Sequence, residues 1–243
     1  MKLALLALAF PTCRALPPAP NLAAPPDPTA PARDTTTLTL VAGLVGASNG
    51  SGWGFALRVE RQITERTTVG AELTAGRGRE ATRNDEPITW GLDHDLFALR
   101  AYGRFELVDG FLAATYGAGF SYFDTGMVTV SVHGGAIVGF TNDYLTPVLP
   151  LGLALAVPLR TGRRFGVYEH PDETDHEVQP TASRYPRLPH TEIYPYAGLG
   201  LIGRLGSTGN YLSLDVALAL AWRSGDTLVS ISAADTQRFE PKQ

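Results

Sequence analysis

"YLSLDVALALAW", the segment from Tyr211 to Trp222, decides the fold. Its large apolar side chains occupy the even-numbered positions, whereas small or polar residues, including Asp215, follow Tyr211 at the odd-numbered positions. On a helix the even positions would scatter around the cylinder, but on a strand they form one continuous face. A membrane-spanning helix needs about 20 residues, whereas a membrane-spanning strand needs only about 9–11. The segment is therefore predicted to be a strand with one apolar face and one small, mildly polar face.

The same two-residue period recurs along most of the chain. Nine further segments show it: residues 36–46, 53–63, 67–77, 95–108, 112–122, 128–140, 149–160, 194–205 and 227–234. The segments 149–160, which contains two prolines, and 227–234 are the weakest, so eight strands remain the alternative to ten. An even number of antiparallel strands allows a sheet to close on itself. The pattern predicts an all-β fold, a single antiparallel transmembrane β-barrel of about ten strands over residues 36–238.

The lengths of the connections support a barrel. Asp109 and Gly110 form a tight hairpin signal between two predicted strands. The two long connections are residues 78–94 and 161–193. If the first strand rises from the inner side of a membrane, both long connections fall on the outer side, and the inner turns stay short apart from residues 141–146. Short inner turns and long outer loops are typical of outer-membrane barrels.

The first 35 residues are predicted to direct the chain rather than to fold with it. Residues 1–15 combine Lys2, a short apolar run and small residues before a cleavage point after Ala15, which predicts a secretory signal peptide. The alternative is a lipoprotein signal in which Cys13 is lipidated. Residues 16–35 are rich in proline and have no hydrophobic period, so they are predicted to form a disordered linker. A linker of this kind after a signal peptide indicates the cell envelope.

Composition and charge narrow the range of partners. The net charge of −4 gives no basic field, so a nucleic-acid partner is not expected. Cys13 is the single cysteine, which excludes a disulfide within the chain. The sequence has no glycine-rich phosphate loop and no nucleophile elbow, and we expect no cofactor.

Two predicted strands carry inward glycines that alternate with outward apolar residues. They contain the stretches Tyr116-Gly-Ala-Gly119 and Pro195-Tyr196-Ala-Gly198-Leu-Gly200. This form resembles the superfamily of small, porin-like outer-membrane β-barrels, and the resemblance in pattern covers residues 36–234. It implies a place in the outer membrane of a Gram-negative cell, with outer-membrane lipid and the barrel assembly machinery as partners. Such barrels usually end on an aromatic residue, whereas here a polar tail follows Phe239.

The predicted inward face carries charges of both signs. We expect these residues to form a lumen charge network that fills a narrow interior: Arg58, Glu60, Glu72, Arg100, Arg104, Glu106, His133, Arg204 and Asp215. A small gated pore is the functional alternative for the same residues. Asp215 is expected to pair with an inward arginine such as Arg204 or Arg100.

Aromatic residues fall near several predicted strand ends, where amphipathic rings mark membrane–water interfaces. The residues expected to form this aromatic girdle are Trp53, Tyr122, Phe123, Tyr211 and Trp222. Aromatic residues are also common in ordinary strands, so the girdle supports a membrane barrel without deciding for it.

Asp93, His94 and Asp95 lie near the start of the fourth predicted strand and are the best catalytic candidates. A carboxylate-oriented imidazole could activate water there. The stretch also resembles the rim of omptin-like proteases, which are ten-stranded. No second Asp–His pair occurs at a matching strand end, so the sequence favours a protein that is not an enzyme.

The sequence does not predict a metal site. The ligand types that suit a divalent cation occur together in the second long connection, at His170, Asp172, Asp175 and His176. The spacing of these four residues does not differ from what chance would produce in a polar loop.

These observations predict an outer-membrane β-barrel with a structural, adhesive or limited transport role. An extracellular ligand would bind at the long connections, residues 78–94 and 161–193. One alternative is a rim-site enzyme, either omptin-like or another outer-membrane enzyme. The other is a soluble periplasmic β-barrel that binds lipid.

Overall fold

Ten antiparallel strands form a closed barrel. The structure is a computed structural model, and it describes residues 34–47, 50–80, 93–123, 127–140, 144–161, 191–205, 210–222 and 227–239. The predicted signal peptide, most of the linker and Cys13 lie outside the described residues. Residues 81–92 and 162–190, which make up most of the two long connections, also lie outside them.

Each strand pairs with the next one along the chain, and the first pairs with the last. The strands are β1 (Thr36–Ala47), β2 (Gly50–Thr64), β3 (Thr67–Glu80), β4 (Asp93–Val108), β5 (Leu112–Phe123), β6 (Met127–Gly139), β7 (Leu145–Thr161), β8 (Glu192–Arg204), β9 (Tyr211–Leu220) and β10 (Thr227–Phe239). The prediction of a ten-stranded antiparallel barrel is confirmed, and the eight-stranded alternative is wrong. The described residues contain no helix that is long and apolar enough to cross a membrane.

The two-residue period assigns each side chain to one face of the wall. In β9, burial alternates at every residue from Tyr211 to Leu220, and Asp215 is 1% exposed while Val216 is 43% exposed. Exposed large apolar side chains occur on all ten strands, among them Leu40, Phe55, Leu73, Leu99, Phe120, Val132, Leu153, Leu199, Leu214 and Phe239. The apolar face of each strand therefore points outward, and the small or polar face lines the interior.

The weakest predicted strands prove longer than their sequence pattern suggested. β7 starts at Leu145 instead of residue 149, and β10 continues to Phe239 instead of residue 234. Proline lacks the N–H that a ladder needs, and the β7–β8 pairing skips Leu149 and Pro150, between Val148 and Leu151. A register shift on β6 lies opposite the segment that contains Pro158. The barrel accommodates these prolines locally, because the pairing resumes on both sides of each.

One end of the barrel adjoins the two long connections, and the other end carries the first and last residues of the wall. The loop end is the end at which β3 stops before residues 81–92 and β7 stops before residues 162–190. The terminal end is the opposite one, where Thr36 of β1 pairs with Phe239 of β10. It also carries the Asp109–Gly110 turn, in which Gly110 has a positive φ of 61° that favours glycine.

Apolar side chains fill the interior near both ends. Two clusters that share Met127 form what we call the loop-end cap: Val45, Leu96, Phe123, Ala154, Ala156, Tyr194, Ala219, Ala221 and Leu228. A smaller cluster at the terminal end consists of Ile137, Val148, Ile202 and Tyr211. The charged interior residues lie between these clusters and along the opposite wall.

Candidate functional site

A buried carboxylate between two arginines forms the centre of the interior. Arg58, Glu72 and Arg100 are direct neighbours on β2, β3 and β4, so their side chains share one row across three strands. Glu72 Oε2 accepts hydrogen bonds from Arg58 Nε at 3.0 Å, Arg58 Nη2 at 2.9 Å and Arg100 Nη2 at 3.0 Å. All three residues are buried. Burying charges costs several kcal/mol each, and only such close, hydrogen-bonded pairing offsets it.

Tyr102 connects this row to a second buried carboxylate. Its hydroxyl donates to Glu60 Oε1 at 2.7 Å, and Thr37 Oγ1 donates to Glu60 Oε2 at 3.2 Å. The guanidinium of Arg100 lies 4.7 Å from the centre of the Tyr102 ring, and that of Arg58 lies 5.8 Å from it. Both distances suit a cation–π attraction. We call Arg58, Glu60, Glu72, Arg100 and Tyr102 the charge layer.

A glycine makes the position of Tyr102 possible. Gly70 on β3 lies between Glu60 on β2 and Tyr102 on β4 in the strand register. A Cβ atom added at Gly70 would approach the Tyr102 ring to 2.5 Å, closer than real Cβ contacts. The ring therefore lies flat over a strand that has no side chain there, and this lets its hydroxyl reach Glu60.

A second tyrosine spans the other half of the wall in the same way. Tyr196 on β8 lies over Gly152 on β7 and Gly135 on β6, which are successive neighbours in the register. Its side chain forms a hydrogen bond with Thr115 on β5. Tyr196 thus joins four strands through two glycines, just as Tyr102 joins three strands through one.

Asp215 is buried on the wall opposite β4 and β5. Ser232, its direct neighbour on β10, donates a hydrogen bond to its carboxylate, and Arg58 is the cation whose charge acts on it. Of the two partners expected from the sequence, Arg100 donates to Glu72. Arg204 lies exposed at the terminal end of β8 opposite Tyr211, four residues from Asp215 along β9. The expectation of an Arg204–Asp215 pair is wrong, because the register separates the two residues along the barrel.

The remaining predicted network residues have local partners of their own. Arg104 Nη2 donates to Thr68 Oγ1 at 3.0 Å, and the Thr68 hydroxyl in turn donates to Gln62. Glu106 Oε1 accepts the backbone N–H of Gly110 at 2.6 Å, which stabilises the β4–β5 turn. His133 is half-buried, and its ring lies over Gly117. Arg204 is therefore the one member of the predicted set that the described structure leaves exposed.

The aromatic girdle is corrected at two positions. Trp53, Tyr122 and Trp222 are exposed on the outer face at the loop end, at 49%, 40% and 74%. Phe123 and Tyr211 are instead buried inside the barrel, at 2% and 4%. The reason is the two-residue period: Phe123 follows the outward Tyr122, and Tyr211 shares the parity of Asp215. Neither residue can face lipid while its strand keeps that alternation.

The catalytic candidates do not form a described site. Asp95 pairs with Arg77, its neighbour on β3, with Arg77 Nε donating to Asp95 Oδ1 at 2.8 Å. Both side chains are about half exposed. The side chains of Asp93 and His94 lie outside the described residues. Within the described ranges, no group of three or more His, Cys, Asp or Glu side chains could hold a metal ion.

Sequence reasoning missed the two tyrosines that organise the interior. The signal for each lies in the register: Tyr102 is opposite Gly70, and Tyr196 is opposite Gly152. Both tyrosines have inward parity and sit beside strands rich in glycine. A sequence alone does not give the register, and a tyrosine that lies next to a glycine in space is distant from it in the sequence.

Comparison with known proteins gives a match in structure alone. No protein-family model and no curated protein matches the sequence. The translocator domain of the autotransporter NalP from Neisseria meningitidis aligns over 84% of this chain and 88% of its own, with a TM-score of 0.52 and 13% identity. An outer membrane channel from Pseudomonas putida F1 aligns over 88% and 99%, with a TM-score of 0.50 and 10% identity. The chain has the fold of an outer-membrane β-barrel. At these identities the likeness shows the fold alone.

Removing Glu72 should destabilise the barrel strongly. Glu72→Ala leaves Arg58 and Arg100 buried without any of the three hydrogen bonds that they donate to this carboxylate, which we expect to cost about 3–5 kcal/mol in the free energy of unfolding. The matched control is Asp95→Ala, which breaks the exposed pair with Arg77 and should cost no more than about 1 kcal/mol. Denaturant unfolding of the refolded protein measures both, and equal losses would contradict the central role of Glu72.

The contact between Tyr102 and Gly70 can be tested by adding one methyl group. Gly70→Ala should cost about 1–3 kcal/mol in the free energy of unfolding, because the ring must leave its place. Gly134→Ala is the control, since the nearest atom to its added Cβ is 3.9 Å away. In a Tyr102→Ala background the cost of Gly70→Ala should largely disappear. If the two substitutions prove additive, the ring does not depend on that glycine.

Proposed function

We propose that this protein is inserted in the outer membrane of a Gram-negative cell as a closed β-barrel that presents its long connections outside. The observation that carries the proposal is the two-faced wall: large apolar side chains are exposed on every strand, while the charges are buried inside. A soluble protein rarely exposes apolar patches larger than a few hundred Å². A barrel surrounded by lipid requires such an outer face. The same contrast argues against a soluble periplasmic lipid-binding barrel, which would bury its apolar face inward.

The strand lengths agree with membrane insertion. The shortest strand, β9, has 10 residues and the longest, β7, has 17. Tilted strands need about 9–11 residues to cross the hydrocarbon core. Every strand of the barrel is therefore long enough to span it. Insertion would make outer-membrane lipid and the barrel assembly machinery partners of the chain, and a signal peptide over residues 1–15 would bring it to the envelope.

The filled interior favours a structural or adhesive role over free passage of solutes. The loop-end cap and the charge layer occupy the lumen with buried side chains from nine of the ten strands. The long connections at the loop end, residues 78–94 and 161–193, are then the parts left to bind an extracellular ligand. A rim-site protease has less support, because Asp95 is held by Arg77 on the outer face.

Fractionation and protease shaving test this function together. The protein should extract from the outer-membrane fraction only with detergent, and its gel mobility should shift on boiling. Protease added to intact cells should cut this protein within residues 162–190, while a periplasmic marker protein in the same cells stays uncut. A protein recovered from the soluble periplasmic fraction would contradict insertion. A heat-modifiable barrel that resists cleavage in intact cells but is cut after lysis would contradict the outward orientation.

A further inference from the structure

An unpaired carboxylate lies on the outer face of the wall, beside the seam at which β1 pairs with β10. Asp235 points outward, because Ala234 and Thr236 on either side of it in β10 are buried inside. Its direct neighbours across the wall are Leu40 on β1 and Leu212 on β9, and both are exposed. Among the described residues, Asp235 has no hydrogen-bond or ion-pair partner. A carboxylate flanked by leucines on the outer face therefore needs a partner from outside the barrel, because hydrocarbon does not solvate it.

Other polar side chains extend this part of the outer face toward the terminal end. Gln237 on β10 is exposed. Arg61, near the terminal end of β2, is also exposed and pairs with Asp34 at 3.4 Å. Asp235 lies four residues from Phe239 at the rim, and a tilted strand advances about 2.5 Å along the barrel axis per residue, so its carboxylate lies about 10 Å from that rim. We call Asp34, Arg61, Asp235 and Gln237 the seam patch.

The register identifies the position on the opposite wall that is level with Asp235. A row of neighbouring residues that starts at Thr35 on β1 runs once around the barrel and returns to β1 at Ala47, twelve residues nearer the loop end. Half a turn therefore climbs by half of that, six residues. The row that contains Asp235 reaches Phe120 on β5 after half a turn. Ala114, six residues nearer the terminal end than Phe120, is thus level with Asp235.

Below that level the opposite wall stays apolar down to the terminal rim. Its exposed side chains there belong to β4, β7 and the turns beside β5 and β6: Phe105, Leu107, Phe111, Phe140 and Leu145. The apolar band is therefore shorter at the seam than on the opposite wall. A bilayer next to a short apolar band becomes locally thinner, or the proteins associate and cover the polar groups.

We propose that phospholipid headgroups of the leaflet at the terminal end rise to the seam patch, so that the bilayer is locally thinned beside β1 and β10. The inference rests on the proposed membrane insertion. The ammonium groups of zwitterionic headgroups, with their water, supply the cations and hydrogen-bond donors that Asp235 lacks. A second copy of the chain fits this patch less well. A twofold contact would bring two copies of Asp235 together, and Arg61 is already held by Asp34.

Nitroxide labels beside the patch test the proposal without removing its carboxylate. Single cysteines in a Cys13→Ser background replace Leu40 or Leu212, which flank Asp235. The same half-turn relation gives their level-matched controls on the opposite wall, Ala136 for Leu40 and Phe105 for Leu212. In phosphatidylcholine vesicles, collisions with a polar nickel chelate are compared with collisions with oxygen. The ratio of nickel to oxygen collisions should be several-fold higher at each seam position than at its control.

The same labels in an Asp235→Leu, Gln237→Leu background separate the patch from the rest of the seam. There the ratio at the two seam positions should fall to that of the controls, because no polar group then holds the headgroups. A ratio that stays high in this background would overturn the role of the patch. Each variant is compared only after it shows the heat-modifiable mobility of a folded barrel, and the two pairs of positions are independent of each other.

Three further results would contradict the account in different ways. Equal ratios on the two walls, with oxygen dominant on both, would overturn the thinning and leave the proposed function intact. Low collision rates with both reagents at the seam alone would show that protein covers the patch, as in a dimer, and would overturn the binding of headgroups. Nickel access as high at the controls as at the seam would instead refute membrane insertion, the proposed function itself.

Discussion

The pairing of β1 with β10 is the contact on which the rest of the structure depends. Twelve residue pairs join them, from Thr36 with Phe239 to Ala47 with Leu228. Without this seam the sheet would have two edges of unpaired N–H and C=O groups, which the hydrocarbon of the proposed membrane setting could not satisfy. Closure also divides space into an inside and an outside. From that point the parity of a residue's position along its strand decides whether it faces charge or apolar surroundings.

Closure creates a second problem, because the inside must be filled. A ten-stranded barrel is narrow enough for side chains to do this. Here the filling has two kinds: apolar clusters near the ends and a layer of paired charges between them. The charges of Arg58, Glu72 and Arg100 are tolerable because Glu72 accepts from both arginines at once, so each of these three buried charges has an opposite charge in contact.

Glycines in the interior face of the wall leave room for the rings of two tyrosines. A side chain at Gly70 would push Tyr102 off the wall and break its hydrogen bond to Glu60, and side chains at Gly135 and Gly152 would do the same to Tyr196. Each tyrosine ties strands together across a gap that only glycine leaves. These links add side-chain contacts to a wall that is otherwise held by backbone pairing.

Much of the architecture was predictable from the sequence, because a period of two is a local property. Asp215 inside an apolar run could only be an interior residue of a strand, and the structure places it there. The strand count followed from the same period. Pro150 and Pro158 made β7 look short, because a sequence shows the missing N–H groups but not the pairing that resumes beyond them.

The partners of the interior residues were not predictable in the same way. Which residue faces Asp215 depends on how far β8 and β10 are shifted along β9, and nothing local fixes that shift. Arg204 therefore looked like a partner and is not one, whereas Ser232 is. Phe123 and Tyr211 show a different error. Both lie near strand ends, where interfacial aromatic residues are expected, but their parity along the strand places them inside the barrel.

The central claim is that the wall has a lipid face and an interior face that alternate residue by residue. The most direct test places single cysteines in turn at positions 213 to 218 of β9, in a Cys13→Ser background, and attaches a nitroxide to each in the lipid-reconstituted protein. Collisions with oxygen, which dissolves in hydrocarbon, are then compared with collisions with a polar nickel chelate. The account predicts high oxygen access at Leu214, Val216 and Leu218 and low access at Ser213, Asp215 and Ala217. Equal access at all six positions, or the reverse alternation, would contradict it.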